Sequence, residues 1–250
     1  SNGFFTSEED IANSPDQSSL VPWGVIPTTL GTVKFQDLNG DGQITRGSTV
    51  DNPGDMKVIG NSQARYRFGV NLDFQFKGFD VRTFFQGVAK RDFYPYHYIF
   101  WGFHQQPYEG GFVNQLDYYR HADDSPELMA QHSQKYIDMG LASANTNSYY
   151  PVLQAWNMDN RVGWGNLPNT GYLLDGSYIR WKNLTVGYTI PSNLSARLGI
   201  RSVRVYVSGE NLKEWSEIAD FVDPEAVTNN GQGYAYPFQR RYSVGLNINF

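Results

Sequence analysis

Apolar and polar residues alternate without a break from Arg65 to Lys77: Tyr66, Phe68, Val70, Leu72, Phe74 and Phe76 fall on one parity, and Arg65, Arg67, Gly69, Asn71, Asp73, Gln75 and Lys77 on the other. A period of two is the signature of a β-strand with two unlike faces. Lys77-Gly78 then reads as a tight turn, and Phe79, Val81, Thr83, Phe85, Gly87 and Ala89 form one face of a return strand. A third strand is expected over Tyr178 to Ile190, with Leu184, Val186, Tyr188 and Ile190 on one face. Its upstream half slips phase, because Ile179 and Trp181 fall on the opposite parity, which predicts a bulge near Lys182. Pro191 ends this strand, and a fourth follows with Val203, Val205 and Val207 opposite Arg204, Tyr206 and Ser208. The fifth closes the sequence, alternating Tyr242, Val244, Leu246, Ile248 and Phe250 with Arg241, Ser243, Gly245, Asn247 and Asn249.

Alternation alone fits a half-buried sandwich strand as well as a barrel wall with lipid outside. Connection lengths separate the two. They alternate between short (Lys77 to Phe79, Pro191 to Arg201) and long (Phe93 to about Tyr172, Trp215 to Arg240). Outer-membrane barrels show this asymmetry, with short periplasmic turns and long extracellular loops. The expected fold class is therefore all-β: an antiparallel transmembrane β-barrel segment of about five strands with long extracellular loops and one short loop helix. Its expected layout is an extracellular loop over 1–64, a wall hairpin over 65–94, a long extracellular loop over 95–171, and closing strands with one further extracellular loop over 172–250. The side chains expected to face lipid are Phe68, Val70, Leu72, Phe74, Val81, Phe85, Val186, Val205, Val244, Leu246 and Ile248, with Phe250 as a C-terminal barrel signal. In the long loop, Asp124 or Ser125 is expected to cap one helix carrying Leu128, Met129, His132, Tyr136 and Ile137, with Gly140 after its end.

Composition adjusts this picture in three places. A mean hydropathy of -0.50 resembles that of a soluble protein, yet a spanning strand needs only ~9–11 residues and shows lipid every second one, so an average along the chain conceals it. The formal net charge of -5 gives no basic footprint for nucleic acid. The absence of cysteine excludes disulfides, thiol catalysis and Cys-ligated zinc.

The sharpest local motif is Asp37-Leu38-Asn39-Gly40-Asp41-Gly42-Gln43-Ile44-Thr45, with oxygen-bearing side chains at positions one, three and five and a glycine at six. That is the opening of an EF-hand-like calcium loop, with Gln43 offering its backbone carbonyl. Ser48 stands where the bidentate glutamate belongs, so closure falls to Asp51, Asp55 or water. The expected Ca2+ ligands are Asp37, Asn39, Asp41, Gln43 and Asp51; the alternative is an Asx/Gly turn without metal.

Catalytic signals are poor. His97, His104, His121 and His132 lack zinc spacing and read as surface or packing residues, and no Gly-x-Ser-x-Gly elbow occurs. Tyr96, Tyr98, Trp101, Tyr108, Trp164 and Tyr234 are the candidate substrate or partner contacts, against packing or an interfacial girdle.

Lys34 to Thr45, then Ile59-Gly60-Asn61-Ser62, then Tyr66 to Asp80, resembles the late barrel region of SusC/RagA-type TonB-linked outer-membrane proteins. Asp175 to Tyr188, Arg204 to Leu212, Asp223-Pro224-Glu225 and Tyr236 to Phe250 resemble that family's closing strands. The resemblance implies a barrel of roughly 22 strands around an internal plug, a SusD-like surface lipoprotein as partner, and TonB engaged through an N-terminal region outside this sequence. It implies import of oligosaccharides or peptides across the outer membrane, with no covalent chemistry; apart from the Ca2+ that the Asp37 loop suggests, no cofactor is expected. The 93–172 and 217–238 segments are then the candidate contact surfaces. Two alternatives make different structural demands. A secreted calcium-stabilised β-sandwich that binds glycan would bury the apolar faces between two sheets, and an outer-membrane hydrolase would need a nucleophile beside a base.

Overall fold

The computed structural model describes residues 1–20, 27–96, 98–104, 108, 110–121, 126–154, 156, 167–195, 199–220, 222–227 and 236–250. The chain forms two compact units, one of residues 1–59 with 94–173 and one of 60–93 with 174–250.

The second unit is built on one antiparallel sheet of five strands, β1 (Tyr66–Phe76), β2 (Phe79–Ala89), β3 (Tyr178–Thr189), β4 (Ser202–Trp215) and β5 (Arg241–Asn249). Their spatial order is their sequence order, so the sheet is a meander, open at β1 and β5. The β1–β2 hairpin turns at Lys77 (φ 47°) and Gly78 (φ 88°), two left-handed residues that match the twist of the flanking strands. The expected phase slip is present: Phe84 pairs with Asn183 while Phe85 pairs with Trp181, leaving Lys182 as the extra residue. A second irregularity lies across from it, where Asn183 pairs with Glu210 but Trp181 with Lys213. That bulge carries β4 through Asn211 (φ 51°) to Trp215, beyond the Val203–Ser208 alternation legible in the sequence. At this end of the sheet Phe93, Ile218 and Val222 form a small buried core, with Leu174 and Val227 packed against it.

The first unit is made of short elements around buried rings. Phe100, Trp101, Tyr119, Tyr150 and Tyr172 are buried, with the Trp101 and Tyr172 centroids 4.8 Å apart and edge-on. The single loop helix expected from the sequence is corrected. Five short α-helical segments occur among the described residues, and the 126–140 region holds two of them, Pro126–Met129 and Gln134–Asp138. The hydroxyl of Ser133 accepts a hydrogen bond from the N–H of Tyr136, starting a new helix where the sequence pattern continues the old one. The expected caps Asp124 and Ser125 lie outside the described residues. No described helix is long and apolar enough to cross a membrane, which does not bear on strands.

Candidate functional site

Cross-strand register decides which side chains share a face. Val70 stands opposite Phe85, Phe74 opposite Val81, Val81 opposite Val186, Val186 opposite Val207, Val207 opposite Val244, and Val205 opposite Leu246. All eleven apolar residues singled out in these strands therefore lie on one side of a continuous sheet. That side is open: Leu72 is 56% exposed, Phe74 62% and Val244 80%. Phe74, Phe76, Phe79 and Tyr188 gather toward the hairpin end, and Tyr66, Trp181, Trp215 and Tyr242 toward the other. Between them lie mainly aliphatic residues, and Lys213, in register with Trp181, stands in the far ring row. Two of its polar side chains are satisfied within the sheet: the indole N–H of Trp181 donates to Thr83 Oγ1 (2.6 Å), whose hydroxyl donates to the carbonyl of Asn183 (2.8 Å). A sandwich would cover this face with a second sheet, and none of the described strands does so.

The opposite face is polar. Arg82 and Asp73 sit across from one another 3.1 Å apart. Arg204 on β4 reaches over β3 to Asp80 on β2, its Nε 2.8 Å from Oδ1. Gly187 makes this crossing feasible, because a Cβ there would lie 2.4 Å from Arg204 Nη2 and 2.6 Å from Asp80 Oδ1.

Beyond the bulge, the guanidinium of Arg180, 2% exposed, pairs with Asp223 (2.6 Å) and Glu225 (3.0 Å), and Lys182 also reaches Glu225 (3.1 Å). Both cations lie over the Phe238 ring, at 5.2 Å and 4.5 Å from its centroid. Arg91 donates to the carbonyls of Gly176 and Pro224. Burial alone pushes the Asp223 carboxyl up; the hydrogen bond from Arg180 and those from the N–H groups of Phe238 and Glu225 outweigh it and hold the group below the usual carboxylate range. A buried, mutually neutralised cluster of this kind fixes the Asp223-Pro224-Glu225 segment to the sheet. No local pattern in the sequence pairs these acids, because their partner Arg180 is more than forty residues away.

In the first unit, the Asp37–Thr45 loop closes on itself. Asp37 accepts from the N–H groups of Gly40 (2.6 Å) and Gly42 (2.9 Å), bonds that hold its carboxyl below the usual range. Asp41 accepts from the N–H of Gln43 and from the amide of Asn39. Asp55 is the closing carboxylate, accepting from Leu38 and Thr45 N–H groups at 2.7 Å each. Asp51 makes no side-chain hydrogen bond to the loop among the described residues. Nor do three or more His, Asp or Glu side chains converge there as a metal requires, among the described residues.

The aromatic candidates divide. Trp101 is corrected to a packing residue: it is 1% exposed and its indole donates to the carbonyl of Pro95 (2.7 Å). Tyr96 is half-buried against Tyr94. Tyr98 lies near Phe112, and Tyr108, 73% exposed, edges onto Trp156. Trp164, Tyr234 and His97 lie outside the described residues. His104 is buried, with its ring nitrogens against the carbonyls of Trp101 (3.1 Å) and Pro151 (3.2 Å), and burial lowers its pKa, so it is a packing residue.

No protein-family profile matches the chain. Two curated proteins of Formosa agariphila do. TonB-dependent receptor P3 is 30% identical over 227 residues, which is 86% of this chain and 19% of the relative. TonB-dependent receptor P26 is 25% identical over 258 residues, 99% of this chain and 22% of the relative. The chain thus spans about a fifth of the length of these relatives. In fold it is similar to the RagAB peptide importer, with a TM-score of 0.56 in the open-open state and 0.53 in the closed-closed state. Each of these matches has 20% sequence identity and covers 88% of this chain and 21% of the other.

Proposed function

We propose that this chain, SusC/RagA-like in sequence and strand order, forms part of the wall and outer loops of an outer-membrane, TonB-dependent importer. What carries the reading is the sheet itself: one face apolar, exposed and bounded by rings at both ends, the other polar and crossed by ion pairs. Hydrocarbon on one side and an aqueous or plug-filled lumen on the other is the environment that suits both faces at once. In water the same apolar face would be an aggregation surface. The open edges at β1 and β5 call for further strands, because hydrocarbon does not tolerate unpaired N–H and C=O groups.

In this reading the eleven apolar residues face lipid, Phe250 marks the periplasmic rim, and the first unit lies outside the cell. A SusD-like lipoprotein covers the outer loops, with Tyr98 and Tyr108 among the exposed rings available to it. The chain's residues do no covalent chemistry; they bound a path and shape its mouth. Calcium at the Asp37–Thr45 loop belongs to the same proposal, with Asp55 as the closing ligand. Binding would draw Asp37, Asp41 and Asp55 inward around the ion.

The reading is tested on the full receptor that contains this stretch. It is expected in the outer-membrane fraction, with heat-modifiable gel mobility and solute uptake that stops when the proton-motive force is collapsed. A receptor recovered from the aqueous fraction, monodisperse without detergent, would contradict it. For the loop, calcium is expected to raise the Tm and Asp41→Ala to abolish the rise; a wild-type receptor indifferent to calcium would leave a bare turn.

A further inference from the structure

The apolar face of the sheet is dented. In the row of Leu184, Gly209 and Tyr242, across β3, β4 and β5, the middle residue has no side chain. Leu212, displaced by the bulge in β4, folds back toward the gap, its Cδ2 2.5 Å from where a Cβ on Gly209 would lie. Beside it remains a hollow of about 310 Å³ walled by Leu184, Val186, Val207, Leu212, Tyr242 and Val244. Tyr242 is 74% exposed and Val244 80%, so the hollow is uncovered. A helix, ~10–12 Å across with its side chains, is too broad to enter it, whereas a single hydrocarbon chain is not.

A cation stands at the bulge end of this hollow. Lys182 is the extra residue of β3, so Leu184 and Trp181 are successive side chains of the apolar face. Lys213, paired with Trp181, therefore stands one rung beyond Gly209, which is paired with Leu184. Lys213 is exposed, and it has no ion pair among the described residues. The nearby carboxylates belong to the opposite face, where Glu225 pairs with Lys182, Glu214 with Arg240, and Glu210 stands across from Arg241. A lysine on a lipid-facing wall costs least at the interface, where its stem lies along apolar surface and its ammonium reaches the head groups. An ammonium at that height attracts anionic lipid.

We propose that Lys213 and the hollow beside it seat one phosphate-bearing lipid of the outer leaflet, its phosphate on the ammonium and one acyl chain over Gly209; the inference rests on the barrel-wall reading, which puts this face in hydrocarbon and this end of the sheet outside. A chain lying in the hollow brings its head group to the height of Lys213, so the two features act on one molecule. Phosphate oxygens give an ammonium without a carboxylate partner a charge-assisted hydrogen bond. The seat spans β3, β4 and β5, and an occupied seat braces the stretch where the ladder is interrupted.

The test uses the full receptor in phosphatidylcholine nanodiscs doped either with lipid A, a phosphorylated lipid, or with the same lipid after phosphatase treatment. Native mass spectrometry reads which lipid stays on the receptor as the disc is stripped away. Wild type is expected to retain the phosphorylated form, Lys213→Gln to lose about five- to tenfold of that retention, and Lys213→Arg to keep it. Val244→Trp, which fills the hollow and leaves the charge in place, is expected to lose retention as well. Equal retention of both lipids, or loss with Lys213→Gln but not with Val244→Trp, would overturn the seat. So would a receptor dimer in undoped discs that Val244→Trp splits, because the hollow would then belong to a second copy. Both substituted positions are exposed, so heat-modifiable mobility should be unchanged, which separates lost lipid from lost folding. A receptor that enters the discs and holds both lipids alike sinks the seat alone; one that does not enter them sinks the barrel-wall reading and the seat with it.

Discussion

Gly187 is the residue over which the polar face is threaded, since its lack of a Cβ lets Arg204 cross β3 to Asp80. Gly187→Val is expected to break that pair and destabilise the receptor by ~1–3 kcal/mol, the usual range for overpacking, as read by denaturant unfolding in lipid vesicles. A variant as stable as wild type would show that the crossing is dispensable. Gly245 plays the same part for Tyr206, whose ring occupies the space a Cβ would need. Asp223 gives a pH test with a definite sign. Its folded pKa is depressed, so its contribution is complete above the unfolded value of ~3.9 and is lost as pH falls through the folded one. Amide exchange over residues 222–227 is expected to stay slow from neutral pH down to about 4 and to quicken below it. Asp223→Asn should quicken it at neutral pH, and an onset near pH 6 would contradict the assignment.

At the scale of elements, the strands were legible because each carries an unbroken period of two against which nothing local competes. Even the bulge at Lys182 showed as a slip in parity. What was not legible depended on contacts remote in sequence or on a local hydrogen bond. The end of β4 was hidden because Gly209 to Lys213 lose the period at the second bulge. The 126–140 helix split because the Ser133 hydroxyl caps the backbone within an otherwise continuous stripe. Asp55 rather than Asp51 closes the Asp37 loop because Asp55 is the one that accepts from Leu38 and Thr45. Trp101 packs among the rings of its own unit, which no spacing rule reveals. The two faces of β3 supply a further test. Val186→Arg, on the apolar face, is expected to cost ~2–4 kcal/mol if it lies near the bilayer midplane, and Thr185→Arg, on the polar face, much less. Equal costs would mean that the two faces see the same surroundings.

For the whole molecule the deciding property is which side of the sheet meets lipid. The chain contains no cysteine, so single thiols can be placed along this stretch for spin labelling at neighbouring positions: 70 and 71, 185 and 186, 243 and 244. In the receptor reconstituted in bilayers, labels at 70, 186 and 244 should collide readily with dissolved oxygen and poorly with a water-soluble nickel chelate. Labels at 71, 185 and 243 should show less oxygen contact at every pair. Accessibilities that fail to alternate, or that alternate in the opposite sense, would contradict the barrel-wall reading.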